Sequence, residues 1–71
     1  MTPDQRIAIL TKISNKKSEL RTLNNIHSST KIAFATCKDR ERAKELNNEL
    51  SDLASEISSL ESEIASLERG L

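Results

Sequence analysis

Seventy-one residues, 31% of them charged, with one Gly, one Pro and a lone aromatic at Phe34, exclude a large mixed core and more than one domain. The single Cys37 excludes an internal disulfide and fits a reducing compartment, and no run approaches the roughly 20 apolar residues of a membrane span. Net charge is zero, but residues 1–44 carry ten Lys/Arg and four Asp/Glu, whereas residues 45–71 carry one Arg and seven Asp/Glu.

The chain begins with a helix-start signal. Thr2-Pro3-Asp4-Gln5 has the form of a capping box, with Pro3 at the first helical position and Asp4 in the first turn. Behind it runs a seam spaced 4–3–4–3: Ile9, Ile13, Lys16, Leu20, Leu23, His27, Thr30 and Phe34. Three members are polar. Leu10, Ile26 and Ala33 flank it and widen the apolar face, and Ile7, Leu10, Ile26, Ile32 and Ala54 are candidates for a second contact.

The seam does not carry into the second half in register, so a turn is expected. Ser28-Ser29-Thr30, preceded by Asn24-Asn25, is one candidate site. Thr36-Cys37-Lys38-Asp39, of the [ST]-x-x-[DE] form that opens helices, is the other and is favoured. It makes two helices of similar length, about 3–34 and 40–69, around a turn at about 35–39. One continuous helix in a long coiled-coil dimer is the structural alternative.

From Ala43 the spacing becomes regular. Leu46, Leu50, Leu53, Ile57, Leu60, Ile64, Leu67 and Leu71 complete a heptad seam, which needs a partner helix. Glu49, Glu56, Glu63, Glu61 and Glu68 flank it and would repel a second copy of themselves. The basic first half is therefore the expected partner. The expected facing pairs are Ile9 with Ile64, Ile13 with Leu60, Leu20 with Leu53 and Leu23 with Leu50, and Lys12 is expected near Glu63. Arg69-Gly70 reads as a left-handed helix terminator with a cation in the last turn. Ser51, Ser55, Ser58, Ser59, Ser62 and Ser66 read as a wet outer face.

The fold expected from this pattern is all-α, an antiparallel two-helix coiled-coil hairpin that self-associates into a four-helix bundle. No metal-ligand spacing, phosphate loop or nucleophile with an adjacent base is found. His27 reads as a polar seam residue, Cys37 as a small residue in the helix connection, and Phe34 as a plug at the closed end. The expected function is non-enzymatic, without cofactor or small-molecule substrate. It consists of protein–protein contacts by a cytoplasmic adaptor, chaperone-like subunit or inhibitor, with a second hairpin or another protein as partner. The contact residues are those of the seams: Ile9, Ile13, Leu20 and Leu23 against Leu46, Leu50, Leu53, Ile57, Leu60, Ile64 and Leu67. A second class of function is nucleic-acid binding by the cations of the turn end: Lys31, Lys38, Arg40, Arg42 and Lys44.

Overall fold

A computed structural model describes residues 1–71. Two helices, α1 (Pro3–Thr36) and α2 (Arg40–Arg69), pack against each other, joined by Cys37, Lys38 and Asp39, and there are no strands.

Local chemistry sets the helix ends. At the start of α1, Thr2 Oγ1 accepts from the Gln5 amide at 3.2 Å, and the Thr2 amide donates to Gln5 Oε1 at 3.0 Å. That reciprocal pair satisfies two donors that otherwise lack a helical partner. Ser28, Ser29 and Thr30 do not break α1, which passes through them without interruption. Their weak preference for turns is offset by the tertiary cover on Thr30, the seam member of the three.

The chain turns later than the first helix boundary expected from sequence. Thr36 is the last residue of α1, and its hydroxyl donates back to Ile32 O at 3.0 Å instead of capping the next helix. Cys37 and Asp39 are extended, and the Asp39 carboxylate caps α2 by accepting from the Glu41 amide at 3.2 Å. The [ST]-x-x-[DE] motif therefore does not place its Thr at the helix start. The continuous helix is also corrected: α1 ends at Thr36 and α2 folds back along it.

Gly70 is right-handed, with φ −75° and ψ −10°, not the left-handed terminator expected. Its amide donates to Ser66 O at 3.3 Å and Leu67 O at 3.1 Å, so the last carbonyls are satisfied without a reversal of φ.

The covered residues fall on two lines. In α1 they are Ile9, Ile13, Lys16, Leu20, Leu23, His27 and Thr30. In α2 they are Ala43, Leu46, Leu50, Leu53, Ile57, Leu60, Ile64 and Leu67. Cys37, in the loop, is the only other residue with partial cover. Of these, only Ile13, Leu46, Leu60 and Ile64 are buried; the rest keep one side wet. Phe34, at 39% exposed, does not plug the closed end.

The register differs from the expected pairs. The Lys16–Glu63 and Lys17–Glu68 ion pairs, and the grooves that Leu20 shares with Glu61 and Ile64, Leu23 with Glu56 and Ile26 with Leu53, set α1 against positions further along α2. Lys12 lies in the groove of Glu63, as expected, and Lys16 forms the ion pair with it. At the turn, α1 continues through Ala35 and Thr36 before the chain reverses.

Candidate interaction surface

A two-helix layer has a narrow closed seam and two long open edges. The flanking heptad positions line those edges, and their side chains decide what each edge attracts.

Along one edge, a groove has Leu20, Ile64 and Ala65 among its lining residues. Lys17, Arg21 and Asn24 come from α1, and Glu61, Glu68 and Arg69 from α2. Lys17 Nζ lies 3.9 Å from Glu68 Oε1, with both side chains more than half exposed. A pair so wet contributes little to stability. Arg21 and Glu61, in the same groove, have no ion-pair partner within the hairpin.

The opposite edge is differently charged. Toward the chain termini, Lys12 and Lys16 share a groove with Glu63 and Leu67. There the Lys16 ammonium is held above its ordinary value of 10.5. The hydrogen bond to Glu63 is the main cause; the negative charges of Glu63 and Glu19 add to it, and partial desolvation opposes it. Further toward the loop, Glu19 lines a groove with Leu23 and Glu56. Beyond that, Ile26, Thr30 and Leu53 line a groove with Glu49, Asp52 and Glu56. This stretch carries four carboxylates and no cation. Glu19 and Asp52 were missed as members of it. Glu19 is the only acidic residue in the interior of α1, and its flanking position, one heptad after Lys12, would have revealed the cluster.

The seam residues are brought together as two facing rows, and among the turn-end cations only Arg42 has an ion-pair partner. Arg42 is engaged by Glu45 at 2.9 Å, and that hydrogen bond raises the guanidinium above its ordinary range. Lys31, Lys38, Arg40 and Lys44 have no ion-pair partner. The N-terminus of α2, a place where anions often bind, is already occupied by the Asp39 carboxylate. His27 is half-covered on the seam and makes no hydrogen bond or ion pair. No group of three or more His, Cys, Asp or Glu side chains converges as a metal site would require, and no helix is long and apolar enough to cross a membrane.

Compared with protein-family models, curated proteins and solved structures, the chain has no match.

Proposed function

We propose that this chain is a non-enzymatic adaptor or subunit that works by protein–protein contact, as an antiparallel coiled-coil hairpin. In this reading its open edges receive further helices, and two hairpins together make a four-helix bundle. The observation that carries it is the incomplete cover of the seam. Leu20, Leu23, Leu50, Leu53 and Ile57 are apolar and central, yet each is only half-covered.

Shape supports the same reading. The chain measures 56 × 14 × 11 Å and has a radius of gyration of 16.4 Å, against about 11 Å for a compact domain of this length. Its accessible surface is 5425 Å², roughly 1,000 Å² more than a compact fold of this mass exposes. Hairpins of this kind lack a second layer, and partner helices supply one.

Photo-crosslinking in the source cell tests this. A benzophenone side chain at Asn24 or Ile26, one on each edge, should give protein adducts. The same group at Ser55, on the outer face of α2, should give none. Absence of adducts from both edges would overturn the reading.

The unpaired Lys31, Lys38, Arg40 and Lys44 favour a second reading, nucleic-acid binding by the loop end. Its signature would be affinity that falls steeply with salt, by about 0.7–0.9 log units per log unit of salt for each phosphate contacted.

A further inference from the structure

We propose that the partner on the Lys17–Glu61 edge is a second copy of this chain, docked with both loops at the same end. The proposal rests on the protein-contact reading above and adds the occupant, the edge and the orientation.

The edges differ in whether they tolerate themselves. Joining two copies through the Ile26 edge with both loops at one end would gather two sets of Glu19, Glu49, Asp52 and Glu56, while the cations of that edge, Lys12 and Lys16, stay beside Glu63 toward the termini. Desolvating so many like charges together is unfavourable. The Lys17 edge is mixed: cations Lys17 and Arg21 stand on the α1 wall, carboxylates Glu61 and Glu68 on the α2 wall with Arg69 at its end, and Leu20, Ile64 and Ala65 lie between. Such a groove complements its own copy if the α1 wall of one meets the α2 wall of the other.

That condition selects the symmetry. A two-fold axis perpendicular to the helices lays α1 on α1 and α2 on α2. Each α1 has six Lys/Arg and two Asp/Glu, and each α2 has four Lys/Arg and eight Asp/Glu, so both contacts set like charge on like. A two-fold axis parallel to the helices lays α1 of each copy on α2 of the other, +4 against −4. Lys17 of one copy then lies over Glu61 of the other, with Arg21 one turn away. The two residues left without ion partners in the hairpin thus approach opposite charge. The loops fall at the same end. A face of 56 by 14 Å offers roughly 800 Å² per copy, which is what a specific dimer buries on each partner.

Cys37, the only cysteine, lies in the loop and reports the orientation directly. The full chain, spin-labelled at Cys37, should be a dimer by light scattering. Its label-to-label distance should be below about 25 Å, given neighbouring helix axes 8–10 Å apart. Because Cys37 is half-covered, the measurement is repeated with the label on C37S/K38C. Loops at opposite ends would give about 50 Å or more, the length of a 34-residue helix. That distance in both labelled chains, or a folded monomer at tens of micromolar, overturns the proposal. Asn24→Glu, in the Lys17 groove, should weaken the dimer at least tenfold. Thr22→Glu, near the Glu19 groove, should change it by less than twofold. Equal or reversed effects also overturn the assignment. A dimer with distant loops would leave the protein-contact reading standing; only the absence of crosslinked protein from both edges removes that reading.

Discussion

Lys16 Nζ on α1 reaches Glu63 Oε2 on α2 at 2.5 Å, tying the two helices together across the seam. The Lys16 ammonium is raised above 10.5 by that hydrogen bond. A base raised on folding contributes stability that is whole below its unfolded value and is lost as pH rises through its folded one. Urea midpoints of the wild-type hairpin should therefore fall as pH rises above about 10.4, the unfolded value of a lysine. Glu63→Gln should lose part of that alkaline decline while changing less near neutrality than a buried substitution does. Parallel wild-type and Glu63→Gln curves through this window would refute the role given to the pair.

The four buried side chains predict an uneven cost of truncation. Leu46 is 4% exposed, whereas Leu53 keeps one side open to the acidic edge. Leu46→Ala should cost about 2–3 kcal/mol and Leu53→Ala about 1–2 kcal/mol by denaturant unfolding. From sequence alone the two leucines occupy equivalent d positions, and a full burial cost of about 2–4 kcal/mol would be assigned to either. Equal losses would mean that Leu53 is covered by something outside the hairpin.

His27 lies on the seam of α1, half-covered and without a polar partner. His27→Leu should extend the apolar seam and raise stability by about 0.5–1 kcal/mol. For a domain of this size, that corresponds to a rise of several degrees in Tm. The same change should weaken discrimination between registers, since Lys16, His27 and Thr30 are the polar marks along the α1 seam. A lower Tm for His27→Leu would show that the imidazole makes a contact the hairpin geometry does not reveal.

The positions of cover were legible in the sequence because the 3–4 spacing is a direct image of one helix face. Residues such as Lys16, His27 and Thr30 could be placed on the seam despite their polarity. Register was not legible to better than a turn. It depends on where α1 stops, and Thr36 and Asp39 are both competent caps by residue type. The choice between them turned on the Thr36 hydroxyl, which bonds back into α1. Charge could not correct the error, because Lys12 and Lys16 lie one turn apart and both line the groove of Glu63. The acidic stretch around Ile26 went unseen for a different reason: Glu19 is a lone acid in a basic helix, and the net charge of α1 hid its place beside Glu56. The chemical identity of any partner was not legible, since heptad seams specify helices and not functions.

The cap itself gives the last test, and it probes the register at its origin. Asp39 Oδ1 accepts from the Glu41 amide and lies at the positive end of the α2 dipole. Asp39→Ala should destabilise the hairpin by about 1 kcal/mol, whereas Asp39→Asn, which keeps the acceptor, should lose only part of that. Thr36→Ala removes a hydroxyl that bonds within α1 and should change stability by less than about 0.5 kcal/mol. If Thr36 were instead the cap, the order would invert, with Thr36→Ala the costlier change. Thermal unfolding of the three variants therefore decides where α2 begins, and with it which residues of the two seams stand level.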